Sequence, residues 1–264
     1  MQIKEMPVLF LGHGSPLNAI ENNEFSNNWK ILAGKLPKPK LILCISAHWL
    51  REGSAVTAME NPKTIHDFYG FPEKLYKVSY PAKGSKEYAK LIKELVKTVK
   101  VSLDNEWGLD HGTWSLLVNM YPKSDIPVLQ LSLDYQIPLD KVFEIGKELK
   151  PLRKQGVLII ASGNLVHNLM LMNPSDYAEH FDWAVEFDNI VKENLNKKDH
   201  HSLINYTKYK SSNLAHPTND HYIPLIYVIG AAENESIQFF NEKIIMGSIS
   251  MRCVIFGMEK IKFI

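Results

Sequence analysis

The chain has 264 residues, of which 45% are hydrophobic and 22% charged, and its formal net charge at pH 7 is +1. This length supports one substantial core, and the near-zero charge argues against nucleic acid or an anionic membrane as a partner, since proteins that bind them carry a strong basic excess. The longest apolar stretches are strand-length, so no transmembrane helix is predicted. Met1–Met6 lack the form of a secretory signal, and Cys44 and Cys253 lie in apolar runs typical of buried thiols in a reducing compartment. We therefore expect a cytoplasmic protein.

Strand-like and helix-like segments alternate along the chain, with no repeat or linker that would mark a domain boundary. Several strand candidates are apolar throughout, which is typical of strands covered on both faces. The pattern predicts one α/β domain, residues 1–264, with a central mixed, largely parallel sheet flanked by helices. In chain order the predicted elements are strands Pro7–Leu11, Leu41–Ser46 and Ala55–Met59, helices Ser85–Thr98 and Thr113–Asn119, strand Pro127–Leu133, helix Leu139–Leu149, strand Val157–Ser162, helices Tyr177–Asn194 and Tyr222–Ala232, and strand Ile249–Phe256.

Three of the ten histidines stand just beyond predicted strands. His13 follows the first strand between Gly12 and Gly14, His48 follows the second, and His167 follows the fifth. A lone histidine there would be interpreted as structural. Because ligands collect at the carboxyl ends of strands in α/β sheets, three with the same placement predict a shared site. The two glycines let the backbone turn sharply and leave space beside His13.

Two further histidines stand where predicted helices open. His221 begins the helix in "NDHY", with Thr218 or Asn219 as a possible cap. A histidine in a first helical turn projects from a fixed backbone and suits a metal ligand, although an exposed helix start is an equal alternative. His111 opens a helix in "LDHGTW", and His216 remains open as a ligand, a supporting donor or a loop residue.

This residue set favours a bound metal. Neutral imidazole is the commonest side-chain ligand of zinc and also suits iron and copper, and a catalytic metal usually has three protein ligands and an open position. The motifs of zincin proteases, P-loop nucleotide binders, α/β-hydrolase nucleophiles and CxxC redox sites are absent from the sequence.

Seven short motifs follow one another along the chain: "GHGSP", "SAHW", "TIHDFYGFP", "YPAKG", "GLDHGTW", "SGNLVHNL" and "HPTNDHYIPL". Together they resemble the class III extradiol ring-cleaving dioxygenases, and most closely their DOPA 4,5-dioxygenase-like branch. The likeness continues to "GSISMR" at Gly247–Arg252, so it covers nearly the whole chain. It implies a single α/β domain and an oxidoreductase that opens the ring of a catechol, DOPA-like, with O2.

The resemblance also implies roles for individual residues. His13, His48 and His221 match the family's metal-binding positions. His167 matches an acid/base histidine and is a fourth candidate ligand in this branch, and His111 matches a pocket histidine that contacts substrate or oxygen. One divalent metal is implied: Fe(II) for ring cleavage, and Zn(II) as the ion expected to be found in the site, because a histidine replaces the carboxylate of the usual iron triad.

Zinc has no redox chemistry, so other functions stay open. They are a zinc-dependent hydrolase, another non-oxygenase metalloenzyme on the same fold, and a non-catalytic metal-binding protein. The expected partners are a small aromatic substrate and O2, without nucleic acid or membrane, and the sequence leaves the oligomeric state open. Candidate walls for an aromatic substrate, each equally a core residue, are Trp49, Phe68, Tyr69 and Tyr222.

Overall fold

Strands and helices alternate along the computed structural model, which describes residues 5–175 and 179–264. The strands are β1 Val8–Gly12, β2 Leu41–Arg51, β3 Ser54–Thr57, β4 Val101–Asp104, β5 Val128–Asp134, β6 Val157–Gly163, β7 Ile237–Phe240, β8 Ile244–Ile245, β9 Ile249–Ser250 and β10 Cys253–Phe256. The helices are α1 Glu24–Lys35, α2 Glu73–Tyr76, α3 Lys86–Leu95, α4 His111–Met120, α5 Leu139–Leu149, α6 Pro151–Lys154, α7 Asp182–Lys197, α8 His200–Ile204, α9 Ser212–Ala215 and α10 Ile223–Ala232.

Eight strands form the main sheet in the order β4-β3-β5-β2-β6-β1-β10-β7, and β8 and β9 form a separate pair. The central strands β5, β2, β6 and β1 run parallel, whereas β10 and β7 add antiparallel strands at one edge and β3 meets β5 antiparallel. The prediction of a single α/β domain with a mixed, largely parallel sheet is confirmed. Every helix in the described ranges is too short or too polar to cross a membrane.

Helices cover both faces of the main sheet. Because neighbouring residues of a strand point to opposite faces, Val8 and Phe10 of β1 pack in one hydrophobic cluster and Leu9 and Leu11 in the other. Helices α3, α5, α7 and α10 contribute to the first cluster, and α1 and α4 contribute to the second. Burial on both faces explains why the central strands are apolar throughout.

Most predicted elements match the structure to within a few residues, and α5 has the predicted bounds. Helix α3 is shorter than predicted, with Ser85 as its N-cap, and α4 begins two residues earlier than predicted, at His111. The predicted helix start at Tyr177 lies outside the described residues, and α7 begins at Asp182.

The predicted strand Ile249–Phe256 is wrong as a single element. Its first two residues pair with β8, and only Cys253–Phe256 joins the main sheet. Between them, Arg252 is buried and its Nε donates to a carboxylate oxygen of Asp188 at 2.9 Å. A buried guanidinium needs such a partner. The backbone of Met251 and Arg252 leaves the hydrogen-bonded ladder between β9 and β10, and the contact with Asp188 is made at this break.

Strand β2 continues five residues past the predicted end at Ser46, to Arg51. Its register against β5 shifts between Ile45 and Leu50. His48 therefore lies within an irregular part of the strand and not beyond it, which corrects the predicted placement.

Candidate active site

The predicted histidines converge at the carboxyl edge of three neighbouring parallel strands. Strand β6 lies between β2 and β1, and His13 follows β1 directly, where its amide donates to the Gly163 carbonyl at 3.1 Å. His167 follows β6 by four residues. The ring centroids of His13, His48 and His221 lie 5.0 to 5.2 Å from one another.

Two more rings complete the cluster. The His111 centroid lies 3.8 Å from that of His48, and the His167 ring stacks on His221 at 3.5 Å with planes 6° apart. All five imidazoles line one cavity of about 690 Å³. The structure therefore brings together the five histidines to which the family resemblance assigns a role in the site.

The turn beside His13 depends on its glycine neighbours. Gly14 has a φ of +58°, which only glycine adopts without strain, and a Cβ at Gly12 would come within 2.8 Å of the Met251 backbone. The Asn18 side chain then holds the turn, because its Nδ2 donates to the His13 carbonyl at 3.0 Å.

Ser162 fixes the tautomer of His13. Its hydroxyl donates to the Gly112 carbonyl at 2.6 Å, so its one proton is committed to a group that can only accept. His13 Nδ1, 2.9 Å from the same hydroxyl oxygen, must then be the donor. The Nε2 atom of neutral His13 consequently faces the cavity as an unprotonated acceptor.

His48 and His111 share the carboxylate of Asp67. His111 donates from both its backbone amide and its Nδ1 to Asp67, each at 2.9 Å, and His48 Nδ1 lies 3.4 Å from the same carboxylate. Although burial acts to raise the pKa of Asp67, the hydrogen bond from His111 holds it below its usual value. With its Nδ1 directed at this anion, each ring turns its Nε2 away from the carboxylate.

His221 is held from two sides. Its carbonyl accepts from the Asn164 amide at 3.1 Å, and its Nδ1 is hydrogen-bonded to the Asp220 carboxylate. The Nε2 atom is buried and has no hydrogen-bond partner among the described residues. Leaving a buried polar nitrogen without a partner costs free energy, so this nitrogen is suited to bind an ion or a molecule that enters the cavity.

Burial keeps the rings of His13, His48, His167 and His221 neutral. Desolvation lowers the pKa of His48 to about 3 and that of His167 to about 4, and it lowers the pKa values of His13 and His221 well below their usual range. Neutral imidazole is the form that binds metals.

The donor set fits a divalent transition metal. The Nε2 atoms of His13 and His48 lie 3.1 Å apart. At this distance the Nε2 atom of His13 can accept a hydrogen bond from that of His48, and the same spacing suits two imidazoles that each bind one ion at about 2.0–2.1 Å. One group of potential ligand nitrogens, all within 4.8 Å of one another, comprises those of His13, His48 and His111. The third member of this group is therefore His111, whereas the family resemblance implies His221.

Of the predicted aromatic walls, Phe68 lines the cavity. The other three were wrong. Trp49 is buried and stacks on Trp107, with centroids 5.6 Å apart. The Tyr69 side chain is 92% exposed, and buried Tyr222 donates its hydroxyl to the Leu203 carbonyl.

The loop before α10 also differs from expectation. No side chain caps the helix, and the backbone carbonyl of Asn219 accepts from the first amides instead. Buried His216 makes its ring hydrogen bond from Nε2 to the Leu165 carbonyl at 2.9 Å, so it supports the loop. The supporting residues Ser162, Asp67 and Asp220 were missed, although the latter two stand within the motifs "TIHDFYGFP" and "HPTNDHYIPL".

Comparison with known proteins identifies the family. The family model described as the catalytic LigB subunit of aromatic ring-opening dioxygenase matches residues 11–253, a span that includes all five histidines. The chain is 45% identical to the 4,5-DOPA dioxygenase extradiol of Escherichia coli (strain K12) over 262 residues, 97% of each chain. It is 38% identical to the 4,5-DOPA dioxygenase extradiol of Beta vulgaris over 245 residues, 89% of each.

A solved structure agrees. The crystal structure of an uncharacterized protein from Escherichia coli K12 matches with a TM-score of 0.84 at 42% identity, and the match covers 96% of this chain and 100% of that one. The site described above, with its converging histidines at the carboxyl edge of the sheet, belongs to an enzyme of the LigB family of extradiol, aromatic ring-opening dioxygenases.

Proposed function

We propose that this enzyme opens the ring of a catechol with O2 at one divalent metal held by the histidine cluster. The observation that carries the proposal is the pair of Nε2 atoms of His13 and His48, which lie 3.1 Å apart and are both turned away from their supporting acceptors. Fe(II) is the metal we propose for ring cleavage, because zinc has no redox chemistry. Zn(II) is the ion we expect in protein purified without added metal.

The proposed ligands are His13, His48 and His221. His221 is favoured as the third because its buried Nε2 lacks any other partner among the described residues and its Nδ1 is fixed by Asp220. His111 is the competing third ligand, since its nitrogen also lies within 4.8 Å of those of His13 and His48. His167, whose ring stacks on that of His221, is the fourth candidate ligand.

When bound, the metal would lower the pKa of a catechol hydroxyl and, as Fe(II), supply redox capacity. The remaining steps belong to the protein. His167 is neutral and lines the cavity, so it can accept a hydroxyl proton and later return it. His111, whose Nδ1 is committed to Asp67, presents Nε2 to substrate or oxygen. The ring of Phe68 forms a wall for the aromatic substrate.

The relatives named 4,5-DOPA dioxygenase make a DOPA-like catechol the first substrate to test. Both cysteines are buried and free, which supports a cytoplasmic location. O2 uptake should be measured after anaerobic reconstitution with Fe(II) or Zn(II). The Fe(II) form should consume O2 and yield a yellow ring-opened product, and the Zn(II) form should not. Hydrolysis by the Zn(II) form without O2 uptake would instead support the hydrolase.

Metal analysis of three variants tests the residue roles. We expect His221→Ala to lose most of its metal, and His111→Ala and His167→Ala to keep it while their turnover falls by roughly 100-fold or more. His201→Ala, at an exposed position outside the cavity, is the matched control and should be unchanged. Metal lost from His111→Ala but kept by His221→Ala would make His111 the third ligand.

A further inference from the structure

One carboxylate of the cavity wall keeps an oxygen that the described residues do not use. Asp220 lines the cavity, and its Oδ2 is hydrogen-bonded to His221 Nδ1, whereas no hydrogen bond or ion pair joins its Oδ1 to another described residue. The other carboxylate of the wall, Asp67, is occupied: its Oδ1 accepts from the His111 amide and its Oδ2 from His111 Nδ1. Asp220 Oδ1 therefore retains its capacity to accept hydrogen bonds from a molecule in the cavity.

The charge of Asp220 has no cationic side chain beside it. Lysine and arginine are absent from the cavity wall as far as the structure describes it. Burial lowers the pKa of His221 well below its usual range, so the pair of Asp220 and His221 has a net negative charge at neutral pH. The group complementary to such an acceptor is a cation that donates hydrogen bonds, and an alkylammonium group is one.

Asp220 lies farther out in the cavity than its histidine partner. Its side chain is 20% exposed, compared with 6% for His221, and residues 217–219 before it are exposed. The backbone holds this position, because the Asn219 carbonyl accepts from the Tyr222 amide at 3.0 Å. A substituent on a ring whose hydroxyls meet the histidine cluster can therefore reach a fixed anion in the outer part of the wall.

We infer that Asp220 selects a catechol with an aminoalkyl substituent, by accepting a hydrogen bond from the substrate ammonium group through Oδ1. The inference rests on the proposed function and assigns a residue to its substrate preference. DOPA, which the names of the relatives give as a substrate, has such an ammonium group. Its carboxylate can stay hydrated at the open mouth of the cavity, where the side chain of Met170 is 87% exposed.

Two matched pairs of catechols isolate the contribution of the ammonium group. DOPA is 3-(3,4-dihydroxyphenyl)propionate with an added ammonium, and 4-(2-aminoethyl)catechol is close in shape to 4-propylcatechol. In the Fe(II)-loaded wild-type enzyme at about pH 7, we expect kcat/KM to be about tenfold or more higher for the ammonium member of each pair. Equal values within the pairs, or higher values for the members without ammonium, would overturn the inference.

Asp220→Asn tests whether this preference belongs to Asp220. The asparagine carbonyl oxygen can still accept from His221 Nδ1, whereas the negative charge is lost. With Fe(II) in excess, we expect the ratio of kcat/KM within each pair to fall about tenfold. A disturbed His221 would lower the turnover of both members alike, so a ratio that stays at its wild-type value would overturn the assignment.

Thr218→Val is the matched control for Asp220→Asn. Thr218 lies in the same exposed stretch of the cavity wall, and valine keeps its shape without a change in charge. The two ratios should stay within about twofold of their wild-type values. A fall as large as that in Asp220→Asn would mean that the shape of this stretch, rather than the charge of Asp220, selects the substrate, and the inference would be wrong.

Calorimetric binding of the same four compounds to the Zn(II)-loaded protein gives a readout that does not depend on turnover. Tighter binding of the ammonium member of each pair, with the difference lost in Asp220→Asn, would support the inference, and equal binding of both members would contradict it. Failure of the proposed function would look different, because no catechol would then support O2 uptake with any metal, and the binding measurement would still decide the role of Asp220.

Discussion

Ser162 is the residue that orients His13 as a proposed metal ligand. A metal-binding histidine usually donates its other ring N–H to a fixed acceptor, and removing that acceptor typically costs 10–100-fold in metal affinity. Ser162 Oγ is this acceptor because its own proton goes to Gly112. We expect Ser162→Ala to weaken metal binding by about 10–100-fold, measured by competition with a chelator at pH 7.5.

Ser132→Ala is the matched control for that experiment. Ser132 is also fully buried in the main sheet, but its hydroxyl accepts from the Ala55 amide at 2.8 Å, away from the histidines. Its loss should leave the metal affinity unchanged. Equal effects of the two substitutions would mean that loosened packing of the sheet, rather than the tautomer of His13, governs binding.

At this scale the sequence was informative about the candidate ligands and silent about the residues that support them. The histidines could be found because each one follows a strand or opens a helix, which is a local signal. The contact of Ser162 with His13 joins residues 149 positions apart, and the proton donated to Gly112 adds a third segment. Such a tautomer assignment needs the register of the strands, which no local pattern provides.

Among the elements, apolar and continuous segments were predictable and short or mixed ones were not. Strands β4 and β7 have four residues each and expose part of their side chains, so they carry little periodic signal. Helix α1 buries only a narrow face that includes Trp29 and Leu32, although the reciprocal bonds of Asn23 and Ser26 do mark its start. The β2 extension was missed because His48 interrupts the apolar run.

Helix α10 holds the segment that carries His221, and its position depends on a glycine contact with α5. A Cβ at Gly230 would lie 2.2 Å from the Phe143 carbonyl oxygen and 3.1 Å from the Gly146 Cα. Backbone atoms cannot yield as a flexible side chain can. We expect Gly230→Ala to lower the free energy of unfolding by about 1–3 kcal/mol, measured by urea denaturation.

Gly34→Ala is the comparison for Gly230→Ala. Gly34 lies in α1, and a Cβ there would meet no atom within 4 Å. Alanine has the higher helix propensity, so this change should stabilise the protein by up to about 1 kcal/mol. A similar loss of stability in Gly34→Ala would show that the contact between α5 and α10 does not set the cost of Gly230→Ala.

For the molecule as a whole, the buried histidines link stability to pH. Burial lowers the pKa of His48 to about 3 and the pKa values of His167 and His216 to about 4, and it lowers those of His13 and His221 well below their usual range. In the unfolded chain each of these five histidines has a pKa of about 6.5. Below that pH the unfolded state binds more protons, so stability is present above pH 6.5 and is lost as the pH falls.

Each such histidine contributes a slope of up to about 1.4 kcal/mol per pH unit, and total stability is typically only about 5–15 kcal/mol. We therefore expect the metal-free protein to unfold between about pH 6 and pH 4, and metal to move this transition to lower pH because it binds the native state. Urea denaturation at a series of pH values measures the slope. His216→Gln removes one titrating ring and should reduce this slope by about 1.4 kcal/mol per pH unit. A free energy of unfolding that stays constant from pH 7 to pH 5 would contradict the linkage, because imidazoles that are neutral in the folded state make stability depend on pH across that interval.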